Sequence, residues 1–149
     1  MERLDAALPQ IRAALEGETN DVALQATLAC LLWETFAQAS WCGFYRRIDE
    51  RTLAVGPYQG LMGCLRIDLA RGVCGAAART GEIQLVDDVE QFPGHIACDD
   101  RTKSELVIPI KDASGHVTAV LDLDSHVAAG FSPAESERLS KFLAEIFAR

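Results

Sequence analysis

The sequence lacks any run of apolar residues near the length of about 20 that a membrane-spanning helix needs. It also lacks a cluster of lysine and arginine that could neutralise phosphate groups, since 14 basic and 22 acidic residues give a formal charge of −8. The N-terminal segment MERLDAALPQ carries charges where a signal peptide would need an apolar core. We therefore expect a cytoplasmic protein that binds neither nucleic acid nor a membrane.

Internal repeats, low-complexity tracts and linkers are also absent from the sequence. The 149 residues, 49% of them hydrophobic, suffice for one domain with a core but are too few to predict two. We expect that domain to span residues 1–149, with N-terminal helices in 1–37, a sheet and its loops in 40–131, and a C-terminal helix in 133–147.

The periodicity of apolar residues predicts the order of helices and strands. Helical spacing indicates two helices near the N-terminus, the second starting near Asn20, and a short helix over Val73–Arg79 that ends at Gly81. Alternation predicts two hairpins, WCGFYRRI with TLAVG and SELVIPI with HVTAVLDLD, and a further strand at LRIDL. Ser132, followed by proline and an acid, predicts the start of a last helix. The pattern favours an α+β domain with a central antiparallel sheet and terminal helices packed on one side.

Three acidic residues fall on one face of the second predicted hairpin. A four-residue turn would place Lys111 opposite His116, and Glu105 would then lie opposite Asp122, with Asp124 on the same face. Like charges that face each other across strands are destabilising. Either these acids lie on an exposed face, or they form a site that receives a cation or shares a proton. We favour the site, because Asp122 and Asp124 alternate with leucines in a strand that otherwise resembles a core strand.

The five cysteines differ in their sequence surroundings. Cys30 lies in the apolar segment ATLACLLWETF and is expected in the core, and Cys42 is expected to pack within a strand. The reactive candidates are Cys64, Cys74 and Cys98. Cys64 follows a turn-like segment, Cys74 lies in a glycine-flanked segment, and Cys98 lies in a polar segment. Because cytoplasmic thiols are kept reduced, we interpret any disulfide among them as part of a reaction rather than a scaffold.

Cys98 lies in the polar segment FPGHIACDDRTKSE, where a structural cysteine is unusual. His95, three residues earlier, could lower the pKa of this thiol, or could be an ordinary loop histidine. A metal site made of Cys64, Cys74, His95 and Cys98 is a weaker alternative, because the spacing lacks the two close pairs of a zinc ribbon.

Six segments occur in a characteristic order: SWCGFY, GPYQG, CLRIDLARGVCGAAARTGEIQLVDDV, FPGHIACD, SE and AVLDLDS. This series resembles the GAF-domain free methionine-(R)-sulfoxide reductases, from about residue 40 to residue 132. The resemblance implies a single GAF-like domain that reduces free L-methionine-(R)-sulfoxide to methionine, through a cysteine sulfenic acid and an intramolecular disulfide. Two departures from the family pattern are the stretch GLMGC, which leads to Cys64, the resolving cysteine by resemblance, and the additional thiol of Cys42.

The resemblance also implies a role for individual residues. It makes Cys98 the catalytic cysteine, Cys64 the resolving cysteine and Cys74 the third cysteine of the redox set. The residues expected to hold the substrate are the acids Glu105, Asp122 and Asp124 and the aromatic residues Trp41 and Tyr45. No metal or other cofactor is expected, thioredoxin is the expected reductant, and a homodimer is left open.

Two functions of other classes remain as alternatives. A non-catalytic GAF-type sensor would bind a small ligand in the same cavity and pass the signal through its terminal helices. A thiol-based metal or redox sensor would use the cysteines without turnover. The absence of any appended effector segment favours the enzyme.

Overall fold

A computed structural model of the chain describes residues 1–96 and 98–148. These residues form four α-helices and six strands, and the strands make up one sheet. The helices are α1 (Glu2–Ala14), α2 (Asp21–Thr35), α3 (Gly72–Thr80) and α4 (Pro133–Ile146). The strands are β1 (Ala39–Arg47), β2 (Thr52–Gly60), β3 (Arg66–Asp68), β4 (Gln84–Val86), β5 (Ser104–Lys111) and β6 (Val117–Ser125). The sheet order is β3-β2-β1-β6-β5-β4, and all neighbouring strands are antiparallel.

The sheet separates two apolar clusters. On one face, β1, β5 and β6 pack against α1, α2 and α4, in a cluster that contains Phe44, Leu121 and Phe142. On the other face, α3 covers a second cluster that contains Trp41, Val107 and Val120. The prediction of an α+β domain with the terminal helices on one side of an antiparallel sheet is confirmed. Among the described residues, no helix is both long and apolar enough to span a bilayer.

Local capping residues explain where the helices begin and end. Asn20 accepts a hydrogen bond from the backbone N–H of Ala23 and so starts α2. Ser132 and Glu135 form a reciprocal capping box at the start of α4. Gly81 has a φ of 70°, the left-handed conformation that commonly ends a helix, and it follows α3. These predicted boundaries are confirmed.

The predicted register of the hairpin between β5 and β6 is wrong by two residues from Ser104 to Ile110 and by one residue next to the turn. Glu105 lies opposite Asp124 rather than Asp122, and Lys111 lies opposite Val117 rather than His116. The backbone N–H of Asp112 donates to the carbonyl of His116, and the pairing is irregular between Ile110 and Lys111. A shift of two residues leaves each side chain on its original face. The three acids therefore still share one face of the sheet.

The short strand β4 and a single 3₁₀ turn at Val89–Gln91 were not among the predicted elements. Three residues are too few for alternation to show in the sequence. Strand β4 nevertheless extends the sheet beside β5, where Val86 pairs with Glu105. The turn that follows leads into the loop of Cys98.

Candidate active site

A pocket opens on the face of the sheet that α3 covers. Strands β1, β5 and β6 and helix α3 form its floor and walls, and the loops before β3 and before β5 form its rim. The side chains predicted to be functional all line this pocket except Cys64, which packs beside it: Trp41, Tyr45, Cys74, Cys98, Glu105, Asp122 and Asp124. Alternation along three neighbouring strands brings the aromatic residues and the acids together, whereas Cys74 comes from α3 and Cys98 from the loop before β5.

The three acids lie at the floor of the pocket without a balancing cation. Glu105 and Asp122 are only 6% and 5% exposed, and the described pocket lining contains no lysine or arginine. Burial raises the pKa of all three carboxyl groups, and each is raised further by another acid: Glu105 by Asp124, Asp122 by Glu105, and Asp124 by Asp122. The cluster therefore favours bound protons or a positively charged ligand.

The described residues around the acids leave one carboxyl oxygen of this cluster without a hydrogen bond. The thiol of Cys74 lies 3.9 Å from Oε1 of Glu105, and Nε2 of His95 lies 3.4 Å from Oε2 of the same residue. Burial lowers the pKa of His95, which favours its neutral form. Among the described residues, Oδ1 of Asp122 has no hydrogen-bond partner although it is buried. A buried carboxylate oxygen without a partner carries a desolvation cost that a ligand can remove.

An aromatic wall stands beside the acids. The rings of Trp41 and Tyr45 stack with their centroids 5.4 Å apart, and Trp41 also stacks on Tyr58 at 5.0 Å. Gly43 makes this possible, because a Cβ there would lie 2.8 Å from the Trp41 ring and would also collide with Tyr58. The indole N–H of Trp41 donates to the carbonyl of Leu61, which anchors the loop before Cys64. Tyr58 was not among the predicted site residues, although its strand alternation places it opposite Gly43.

A disulfide joins Cys64 to Cys98 at the rim of the pocket, with Cα atoms 5.6 Å apart. It links the loop after β2 to the loop before β5, across 34 residues of sequence. The alternative of a metal site made of Cys64, Cys74, His95 and Cys98 is not supported, because two of its thiols are bonded to each other. The pair is instead the arrangement expected of a thiol reaction that ends in a disulfide.

Comparison with known proteins agrees with this geometry. Residues 20–149 match the GAF domain family. The chain is 38% identical over 134 residues to the free methionine-R-sulfoxide reductase of Escherichia coli, covering 90% of this chain and 80% of that protein. It is also 38% identical over 146 residues to the free methionine-R-sulfoxide reductase of Saccharomyces cerevisiae, covering 94% and 81%. The X-ray structure of free methionine-R-sulfoxide reductase from Neisseria meningitidis in complex with its substrate matches with a TM-score of 0.89 and 38% identity, covering 97% of this chain and 85% of that chain. The chain belongs to the GAF-domain family of free methionine-R-sulfoxide reductases.

In this member of the free methionine-R-sulfoxide reductase family, the cysteines outside the disulfide have different surroundings. Cys74 is buried in the first turn of α3, and burial together with the nearby acids raises the pKa of its thiol. Cys42 is buried, as predicted, on the face of the sheet that packs against α1, α2 and α4. The prediction that Cys30 belongs to the core is wrong, since it is exposed. The core face of α2 contains Leu24, Leu28 and Leu32, and Cys30 lies off that stripe.

An ion-pair cluster that sequence reasoning missed holds the loop of Cys98. Oδ2 of Asp99 lies 2.9 Å from Nε2 of His126, and Oδ1 accepts hydrogen bonds from the side chain and the backbone N–H of Arg101. The bonds from Arg101, followed by the His126 contact, lower the pKa of Asp99. Asp99 and His126 are 27 residues apart, so no local pattern could predict their contact. The cluster ties the residue after Cys98 to the end of β6.

Proposed function

We propose that this chain reduces free L-methionine-(R)-sulfoxide to methionine, with electrons from its own thiols. The observation that carries this proposal is the Cys64–Cys98 disulfide at the rim of a pocket whose floor holds three acids, of which Glu105 and Asp122 are buried. The pocket supplies a nucleophile and an acid, which are the two groups that sulfoxide reduction requires. The family relationship supports the same substrate.

Cys98 is the proposed nucleophile. Its thiolate attacks the sulfoxide sulfur while the sulfoxide oxygen takes up one proton, so that an S–S bond joins Cys98 to the substrate. The oxygen then moves to the Cys98 sulfur as this S–S bond and the substrate S–O bond break, which releases methionine and leaves Cys98 as a sulfenic acid. The thiol of Cys64 then attacks the Cys98 sulfur and water leaves, which yields the disulfide. In sum, one sulfoxide and two thiols give methionine, one disulfide and one water.

The acid cluster has two tasks in this proposal. A carboxyl group with a raised pKa keeps its proton to a higher pH than a free carboxyl group does, and it can donate that proton to the sulfoxide oxygen. The remaining negative charge pairs with the ammonium group of the free amino acid. A methionine within a protein carries an uncharged amide nitrogen there, so this pairing favours the free amino acid.

The aromatic wall is proposed to enclose the apolar part of the substrate. Trp41 and Tyr45 line the same pocket as the acids and offer flat apolar surfaces to the methyl and methylene groups. Cys74 is retained as the third cysteine of the redox set. Because the disulfide joins the other two thiols, Cys74 would act by exchange after that disulfide has formed.

The proposed cycle ends when an external dithiol, thioredoxin by the family resemblance, reduces the disulfide. Cys98 is exposed, so a protein thiol can reach this end of the bond. We also propose the cytoplasm as the location, because thioredoxin-type reduction operates where thiols are kept reduced. Sedimentation of the purified protein would decide whether it forms the homodimer that the sequence left open.

A direct assay tests the function. The reduced protein is incubated with dithiothreitol and either epimer of free methionine sulfoxide, and released methionine is quantified. We expect turnover of the R epimer and none of the S epimer. The Cys98→Ser variant controls for reduction by dithiothreitol alone. Absence of turnover with both epimers would refute the reductase and favour the ligand sensor.

A further inference from the structure

We propose that the floor of the pocket is also a binding site for a thiophilic divalent cation such as Zn²⁺, with Cys74, Glu105 and Asp122 as ligands. Each of the three is buried and offers one ligand atom, and these atoms all lie within 4.8 Å of one another. They come from α3, β5 and β6, so three separate elements converge on one point. The site goes beyond the proposed reductase activity, which needs no metal.

The spacing and chemistry of the three groups suit zinc. Zinc binds cysteine sulfur at about 2.3 Å and carboxylate oxygen at about 2.0–2.2 Å, usually in tetrahedral geometry. Tetrahedral ligands at those lengths lie roughly 3.3–3.8 Å apart. The sulfur of Cys74 and Oε1 of Glu105 are 3.9 Å apart, so a small movement would bring both into coordination. A set of one sulfur and two oxygens selects a borderline-soft ion over magnesium or calcium.

A second observation points to a ligand at this place. Asp122 is only 5% exposed and lines the pocket, yet its Oδ1 atom has no hydrogen-bond partner among the described residues. Buried polar atoms are normally paired, and an unpaired carboxylate oxygen is costly. A metal ion bound between Asp122 and Cys74 would satisfy that oxygen.

The surrounding charges also favour a cation. Asp124 adds a further acid next to Asp122, and the described lining residues include no lysine or arginine. His95 contacts Glu105 through Nε2, so its imidazole can orient that ligand from outside. An ion at this point would occupy acids that the proposed function assigns to the substrate ammonium. Zinc would then compete with the substrate for the floor of the pocket.

The test uses the Cys64→Ser/Cys98→Ser double variant, which removes the two rim thiols that could bind metal themselves. Co²⁺ is titrated into this protein, and the near-ultraviolet charge-transfer band of a cobalt thiolate is followed. We expect the band to saturate at one ion per chain and to disappear when Zn²⁺ is added. Turnover plays no part in this titration, so its result is independent of the proposed reductase activity.

Three further substitutions in the same background locate the site. Cys74→Ser should abolish the band, and Asp122→Asn should keep it while weakening Co²⁺ affinity by about tenfold or more. Cys30→Ser is the matched control, since that thiol is exposed on α2. It should change neither the charge-transfer band nor the affinity for Co²⁺. Circular dichroism verifies that each variant is folded. Absence of the band in the folded double variant, a band that survives Cys74→Ser, or an unchanged affinity in Asp122→Asn would overturn the proposal.

Discussion

Glu105 on β5 lies directly opposite Asp124 on β6, and both side chains face the pocket. Facing carboxyl groups on neighbouring strands repel each other when both are ionised. The acids therefore lower the free energy of unfolding by an amount that depends on their protonation. This effect can be measured without any substrate.

We predict that the acid cluster destabilises the fold as pH rises. Burial and neighbouring acids raise the pKa of these carboxyl groups in the folded state, so the folded protein binds more protons than the unfolded chain. The contribution of these acids to the free energy of unfolding is then most favourable below the unfolded pKa of about 4, and it falls as the pH rises towards the raised folded pKa values. Asp124→Asn should be more stable than wild type at pH 8, by about 1 kcal/mol or more, and similar to it at pH 4.

Urea unfolding of the oxidised protein at several pH values measures this difference. Glu50→Gln, at an exposed acid in the turn after β1, is the control and should follow the wild-type curve. Parallel curves for wild type and Asp124→Asn would contradict the prediction.

Cys98→Ser and Cys64→Ser should fail at different steps. Cys98→Ser should lower turnover by at least about 10³-fold, because an unactivated serine hydroxyl is a poor nucleophile at neutral pH. Cys64→Ser should release one methionine per chain and then stop, leaving a sulfenic acid on Cys98. Rapid-quench assays and intact-protein mass spectrometry distinguish the two variants. A normal steady-state rate in Cys64→Ser would move the resolving role to Cys74.

Alkylation should sort the cysteines by exposure. In the oxidised native protein, iodoacetamide should modify Cys30 rapidly and the buried Cys42 and Cys74 slowly. Burial raises the pKa of both buried thiols, which further lowers their reactivity. After reduction, Cys64 and Cys98 should become reactive as well. Peptide mapping measures each site, and rapid modification of Cys74 in the oxidised protein would contradict its buried position.

The features that could be predicted from the sequence depend on local rules. Ser132 and Glu135 form a capping box within one helical turn, so the start of α4 is visible in the sequence. Alternation in β6 likewise places Asp122 and Asp124 on one face whichever residue each one opposes. The register could not be predicted, because it depends on an irregularity at Ile110 that leaves no pattern in the sequence.

The rest of the candidate site depends on contacts between distant segments. Asp99 and His126 meet because the loop before β5 lies against the end of β6, which is a property of the fold. The pairing of Cys98 with Cys64 rather than Cys74 was expected from the family resemblance alone, and the structure has this disulfide. Composition and spacing identify the chemistry of these residues but not which of them touch.

Trp41→Phe should weaken substrate binding more than it slows the chemical step. Phenylalanine keeps an apolar ring beside Tyr45 but removes the indole N–H bond to the carbonyl of Leu61. We expect a KM increase of about 3–10-fold with kcat changed less than about twofold, corresponding to the loss of roughly 1 kcal/mol of binding. Steady-state kinetics with free methionine sulfoxide measures both constants. A loss of thermal stability with an unchanged KM would show that Trp41 serves only in packing.

The preference for a free amino acid should depend on the carboxyl cluster. N-acetylation removes the ammonium charge of the substrate and leaves buried acids without a partner, at a cost of about 1–3 kcal/mol. Wild type should therefore prefer free methionine sulfoxide to its N-acetyl form by roughly 5–150-fold in kcat/KM. Asp124→Asn and Glu105→Gln should reduce this ratio, because they weaken the free amino acid more than the acetylated one.

Comparing kcat/KM for the two substrates in each variant tests the assignment, and Glu50→Gln is again the exposed control. The ratio matters more than the absolute rate, because a general loss of activity cancels between the two substrates. If an amide variant lost activity equally on both, the acid at that position would serve proton transfer or structure. Ammonium recognition would then fall to the remaining acids of the cluster.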